Sequence, residues 1–386
     1  MVPLRVALFT DTFQQINGVA LTSRQFLEFA RRHDYPLLCV RGGDRTAERT
    51  DGSVIHHELK RSRFSIHLDR DLYYDPVLWR SANKIAAVVS RFRPDIIHVV
   101  SPGDVSTVGA WVARKLKIPL AISWHTNLHE FAAMRLDRLL KVLPNSLRAR
   151  AVDATETHTL RLFLALCRLG AVLFAPNAEL VAMLQQSTGK PVFLMKRGID
   201  TVLFHPAKRS PDNGVLRVGY VGRTTPEKSV RFFSELETAL LARGVPPFRF
   251  LIVGDGSELE WLRTNLRNAE FRGIRRGEEL SQDFASMHVF AFPSRTDTFG
   301  NVVLEAMASG VPAVVTSEGG PKFIVRDGVS GFVAGNGAEF IERTALLLRD
   351  GDLRRTMSSA AREQAMGESW DDVFAKVYDG YRVALR

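Results

Sequence analysis

Short aliphatic runs alternate along the chain with longer stretches in which apolar residues recur every three or four positions. The runs predict strands at residues 4–9, 37–40, 95–100, 119–124, 171–175 and 192–195. A second series follows at 216–221, 248–253, 288–292, 311–316 and 332–334. The periodic stretches predict helices, among them 23–33, 77–92, 229–243, 257–267 and 301–309. Apolar strands separated by helices are what a parallel sheet covered on both faces requires. The α/β order repeats after FHPAKRSPDN (204–213), whose prolines and polar residues read as a linker. The chain is therefore expected to hold two Rossmann-like, doubly wound domains, 1–203 and 204–368. A last amphipathic helix over 369–386 has no strand after it and is free to cross back to the first domain. The default ligand site of such a protein is the cleft between its domains.

Composition narrows the class. A chain of 386 residues with 45% hydrophobic and 24% charged residues can bury two cores without staples. Cys39 and Cys167 sit in apolar runs with no second cysteine nearby, as buried thiols of a reducing compartment would. The first apolar run, 6–9, is far short of a signal segment, and no uncharged apolar stretch reaches ~18 residues. A cytoplasmic location is expected. The net charge of +10 lies wholly in residues 1–200, which hold 28 Lys/Arg against 18 Asp/Glu, while the remainder holds 24 of each. That excess is either a solvated basic surface or an attraction to an anionic partner: a membrane surface or a phosphate-bearing acceptor. No helix-turn-helix, zinc-finger or RNP pattern points to nucleic acid. Within 131–150, Arg135, Arg138, Lys141, Arg148 and Arg150 face a single acid, Asp137, with Leu136, Leu139, Leu140 and Leu143 interspersed. Such a basic amphipathic stretch suits peripheral contact with an anionic membrane, or packing on its own domain.

The candidate chemistry lies where strands end. The strand at 216–221 runs into GRTTPEKS, which puts Arg223 and Lys228 on the loop leaving a carboxyl end before a helix. Two cations beside a helix N-terminus form an anion site suited to a diphosphate. In SRTDTFGNVVLEAMASG, Asp297 precedes a helix expected to start near Gly300, and Glu305 lies one and a half turns into it. Asp297 could hydrogen-bond sugar hydroxyls or cap the helix, and Glu305 could accept both hydroxyls of a ribose. The backbone N–H groups of Phe299, Gly300, Asn301 and Val302 would favour phosphate oxygens. Gly254, in the Gly254-Asp255-Gly256 turn, either admits a ligand to the backbone or simply turns. That loop lacks the third glycine of a dinucleotide fingerprint. In the first half, Gly18 lies on a loop into a helix, and His125 ends the strand at 119–124 with an imidazole suited to proton handling. His129 is a weaker candidate. No DxD-like pair is placed to hold Mg²⁺. Asp69 and Asp71 form an Asp-Arg-Asp triplet, but in a polar segment that reads as surface.

FTDTFQQINGVA, SWHT, KRGIDTVLFHP, GRTTPEKS, VGDGSELE and DTFGNVVLEAMASGVPAVV followed by DGVSGFV occur in that order over nearly the whole chain. This set resembles the retaining glycosyltransferases of family 4, and the resemblance implies the GT-B fold of two facing Rossmann-like domains. It further implies a nucleotide-diphosphate sugar as donor and no cofactor or metal. Arg223 and Lys228 would hold the diphosphate, Glu305 the ribose, Asp297 the donor sugar, with His125 at the reacting sugar and Gly18 near the donor. Asp297 stands where the family has a longer glutamate, and Phe323 where many members carry one. The opening motif and KRGID resemble the branch of mannosyltransferases and glycolipid synthases, which implies a GDP- or UDP-sugar donor and a lipid acceptor. A nucleotide-sugar 2-epimerase of the same fold and a non-catalytic anion-binding protein are the alternatives.

Overall fold

A computed structural model describes residues 3–15, 17–69, 72–140, 144–209 and 214–386. Asp71, Lys141, Leu143 and the end of the expected linker, 210–213, lie outside the described residues. The chain forms two compact units, one of Met1–Lys196 with Trp370–Arg386 and one of Arg197–Ser369.

The first unit opens with β1 (Val6–Thr10), α1 (Gly18–Arg32), β2 (Leu37–Gly43), β3 (Ala47–Asp51), β4 (Val54–Lys60), β5 (Ile66–Asp69) and β6 (Leu72–Tyr74). It continues with α2 (Ala82–Phe92), β7 (Ile96–Val99), α3 (Asp104–Leu116), β8 (Leu120–Ser123), α4 (Leu128–Leu139), α5 (Asn145–Cys167), β9 (Val172–Ala175), α6 (Ala178–Thr188) and β10 (Val192–Leu194). Its sheet runs β10-β9-β8-β7-β1-β2-β4-β3, parallel except for β3 at the edge. The central strands are buried from end to end because helices cover both faces, and they are apolar but for Thr10, His98 and Ser123. The charged edge strand AERTD carries no such signal, and the sequence does not announce it. Helix α1 begins at Gly18, five residues before the sequence-based expectation of 23. The Asn17 side chain accepts the Ala20 N–H at 2.9 Å and so starts the helix there.

The second unit contains β11 (Leu216–Val221), α7 (Phe232–Ala242), β12 (Phe248–Val253), α8 (Leu259–Asn265), β13 (Ala269–Gly273) and α9 (Gly277–Ser286). There follow β14 (Val289–Phe292), α10 (Asn301–Ala308), β15 (Ala313–Thr316), β16 (Gly331–Ala334), α11 (Gly337–Arg349) and α12 (Gly351–Met366). All six strands are parallel, in the order β13-β12-β11-β14-β15-β16. The order reverses between β11 and β14, and the loops leaving those two strands flank the switch point where open sheets bind ligands.

The boundary between the units falls at 196/197, not at 203/204. Phe204 is buried in the second core, with Ile199 and Leu203 packed against it, and the Ile199 N–H bonds the Glu368 carbonyl at 2.9 Å. The apolar residues just before the polar stretch thus belong to the second unit. The last helix, α13 (Trp370–Ala384), belongs to the first unit, where Phe374 stacks on Phe26 with ring centres 4.8 Å apart. Buried His98 lies 2.6 Å from both Tyr381 Oη and Ser123 Oγ. Burial pushes its pKa down to about 3, so it is a neutral link between helix and sheet.

Candidate functional site

The loop after β11 is fixed by backbone before any side chain acts. Gly222 N–H donates to the Val253 carbonyl, Thr224 N–H to Asp255 and Glu258 N–H to Thr224, at 2.8–3.0 Å. Gly254 has φ +135°, and a Cβ there would fall 1.9 Å from the Gly222 carbonyl oxygen. Its missing side chain is therefore used by the neighbouring loop. The buried Tyr220 hydroxyl donates to the Arg223 carbonyl at 2.7 Å. A single 3-10 turn, Pro226–Lys228, then brings Lys228 forward. The Arg223 side chain is 40% exposed and that of Lys228 only 12%, so one cation reaches solvent while the other is enclosed.

The loop after β14 meets this one. Gly320 N–H donates to the Asp297 carbonyl at 2.6 Å, and a Cβ on Gly320 would lie 2.1 Å from the Thr298 carbonyl. So held, Asp297 Oδ1 accepts from Lys228 Nζ at 2.6 Å, across the switch point. Burial alone would raise the Asp297 carboxyl. The Lys228 charge and hydrogen bond, the nearby Ser294 hydroxyl and the Arg223 charge outweigh it and hold the group below the usual range. Thr224 Oγ1, Thr225 Oγ1, Ser294 Oγ and Asp297 Oδ2, all in these two loops, are buried without a hydrogen bond of good geometry. Gly300 follows in the left-handed region (φ +97°) and precedes α10, where Asn301 and Val302 form the first turn. Phe299 is buried beside them. Glu305, one turn further on, is half-buried, and desolvation pushes its pKa up to about 7.

In the first unit His125 is buried two residues beyond β8, and Gly18 is exposed as the first residue of α1. Arg223, Lys228, Asp297, Phe299, Gly300, Asn301, Val302, Gly254 and Glu305 all belong to the second unit, His125 and Gly18 to the first. Sequence reasoning singled out no residue of KRGID. Yet Arg197 is 3% exposed, burial pushes its pKa down to about 10, and its guanidinium lies 5.6 Å from the Phe299 ring centre. Its signals are its place two residues after the apolar run VFLM and inside the KRGID motif. Among the described residues, no cluster of three or more His, Cys, Asp or Glu is placed to hold a metal ion, and no helix is long and apolar enough to cross a membrane. Cys39 and Cys167 are free and buried, their thiols pushed up to about 12.

A parallel six-stranded sheet with a paired cation and carboxylate at its switch point marks where a doubly wound unit takes a ligand, and comparisons with known proteins sharpen this. A family model described as Glycosyltransferase Family 4 matches residues 16–203, and one described as Glycosyl transferases group 1 matches 216–350. A GDP-mannose-dependent α-mannosyltransferase of Mycobacterium tuberculosis is 30% identical over 99% of this chain and 97% of its own. One of the same description from Corynebacterium glutamicum is 26% identical over 98% and 89%. A sulfoquinovosyl transferase of Arabidopsis thaliana is 29% identical over 97% and 72%. Among solved structures, sucrose-phosphate synthase of Thermosynechococcus elongatus superposes with a TM-score of 0.73 at 17% identity, covering 98% of both chains. Anabaena HepE in complex with UDP and glucose does so with 0.70 at 17% identity, covering 97% and 98%. The fold is GT-B. The chain belongs to glycosyltransferase family 4, and it is a glycosyltransferase.

Proposed function

We propose that this enzyme transfers mannose from GDP-mannose to a lipid acceptor, with retention at the anomeric carbon and without a metal ion or other cofactor. The observation that carries the reading is the Lys228–Asp297 contact at the switch point, beside the N-terminus of α10. GDP-mannose as donor is supported by the mannosyltransferases that resemble this chain over nearly its full length. Arg223 and Lys228 take the diphosphate with the N–H groups of the Phe299–Val302 segment, and Glu305 accepts the ribose hydroxyls. Asp297 turns to the sugar once phosphate competes for Lys228. Gly254 shapes the donor loop through the backbone. To His125 we assign the reacting sugar and to Gly18 the donor, on the resemblance.

Transfer breaks the C1–O bond to the diphosphate, whose growing charge is stabilised by the two cations and the helix amides. The acceptor hydroxyl oxygen bonds C1 from the leaving group's face, and its proton passes to the departing phosphate oxygen. No protein nucleophile is needed. The lipid acceptor and a peripheral place on anionic membrane are supported by the basic α4–α5 region, where Arg135 and Arg150 are exposed and Leu147 is 55% exposed. The side chains of Arg138 and Leu139 lie outside the described ones, and Arg148 pairs with Asp137 at 3.1 Å.

The test presents labelled GDP-mannose, beside a panel of UDP-sugars, to the enzyme with a total lipid extract in anionic or neutral vesicles. Label should enter lipid from GDP-mannose with the donor's anomeric configuration, persist in EDTA, and sediment with anionic vesicles. Lys228→Ala and Arg223→Ala should each lower kcat/KM by about 100-fold or more. Unchanged turnover in both variants sinks the phosphate assignment. Activity lost in EDTA and restored by Mg²⁺ sinks the metal-free mechanism.

A further inference from the structure

Beyond β8 the chain builds a small polar relay that the donor assignment does not use. The Trp124 indole N–H donates to Asn127 Oδ1 at 2.9 Å, and Asn127 Nδ2 donates to Glu130 Oε1 at 2.8 Å. Asn127 is the capping residue of α4 and Glu130 lies in its first turn, positions where an asparagine and a glutamate ordinarily bond the helix's own free N–H groups. Here Asn127 makes no capping bond. Both side chains are instead diverted to aim one carboxylate, at the carboxyl edge of the sheet where doubly wound folds take ligands.

The carboxylate so held is incomplete. Oε2 accepts no hydrogen bond from any described residue, and the side chain is 32% exposed, open to a ligand. Among the described residues its basic neighbour is His129, with Nε2 3.9 Å from Glu130 Oε1. Burial pushes the His129 pKa down, against a smaller pull from Glu156, so the imidazole is no counter-charge at neutral pH. Buried His129 Nδ1 also lacks a partner. A fixed carboxylate oxygen with no cation among the described residues attracts a hydroxyl and repels a phosphate.

We propose that Glu130, oriented by Trp124 and Asn127, accepts a hydrogen bond from a hydroxyl of the acceptor, which is therefore an uncharged polyol or sugar head rather than a phosphate ester. This rests on the reading that the first unit receives the acceptor. It also separates two roles in that unit: the basic surface meets the membrane, while Glu130 selects a neutral head.

Glu130→Gln keeps an oxygen for Asn127 but removes the charge. It should raise the acceptor KM by about 10- to 100-fold, the loss expected for one hydrogen bond to a charged group. The KM for GDP-mannose and the Tm should stay at their wild-type values, which a merely structural role would not leave untouched. A fall in Tm with an unaltered acceptor KM overturns the proposal. A second arm uses the wild-type enzyme, with a total lipid extract separated into uncharged glyceride and glycolipid on one side and phospholipid on the other. Label confined to the uncharged fraction supports the proposal, and label in phospholipid overturns it even if the variant fails to fold. Label from GDP-mannose in neither fraction overturns the lipid-acceptor reading beneath it.

Discussion

Glu305 carries an acid inside an apolar stretch of α10, between Leu304 and Ala306, and makes no ion pair among the described residues. Its pKa near 7 therefore reports desolvation alone. The folded state favours the protonated carboxyl, so the stabilisation it gives is complete below about 4.5 and is lost as pH rises through about 7. Glu305→Gln imitates the neutral acid at every pH. The variant should match wild type in Tm at pH 5 and exceed it at pH 8 by about 1–3 kcal/mol of stability, while binding GDP more weakly. An equal Tm difference at both pH values in differential scanning fluorimetry would contradict this account. Glu305 was legible in the sequence because helix spacing and motif agree on it. The partner of Lys228 was not, because Asp297 is 69 positions away and only the sheet's crossover brings them together. Arg197 was missed for the same reason: its burial against Phe299 depends on a contact that local pattern does not encode.

Elements followed the same logic. Strands β11 and β12 fall where the apolar runs predict them, since both faces of a central strand must be apolar. Strands β3 (AERTD) and β13 (AEFRG) were not legible, because edge strands face solvent and carry charge. The loops between elements were legible as glycine and proline signals, but not the use of each glycine. Gly320 shows the difference. Its φ is an ordinary −75°, yet a Cβ would sit 2.1 Å from the Thr298 carbonyl and 2.5 Å from the Phe299 nitrogen. The loop after β14 rests directly on this backbone, so Gly320→Ala must displace Asp297 or Phe299. Far-UV circular dichroism should stay native, with a loss of about 2 kcal/mol in stability and a fall in kcat/KM of tenfold or more. Wild-type activity in a folded Gly320→Ala protein would show that this support does not set the site.

At the scale of the whole molecule the chain holds separate cores. The second unit closes its core with residues up to Ala365, and the first unit needs α13 to cover Phe26, Phe29 and Phe174. The sequence showed a last amphipathic helix without a strand after it, but which core it completes depends on side chains such as Tyr381 that have no local signature. The division predicts two thermal transitions. Tyr381→Phe removes the hydroxyl bonded to buried His98 and leaves that imidazole nitrogen unsatisfied, at a cost of about 1–3 kcal/mol. It should lower one transition alone. GDP at about 100 times its Kd should raise the other alone, by about 2.7 kcal/mol, because ligand stabilises only what must unfold to release it. Scanning calorimetry of wild type and Tyr381→Phe, each with and without GDP, separates these effects. If one transition responded to both the substitution and the nucleotide, either the cores would melt as one or the nucleotide would be held by the first unit. Deleting 370–386 distinguishes those outcomes, since a GDP-responsive transition that survives the deletion must belong to the second unit.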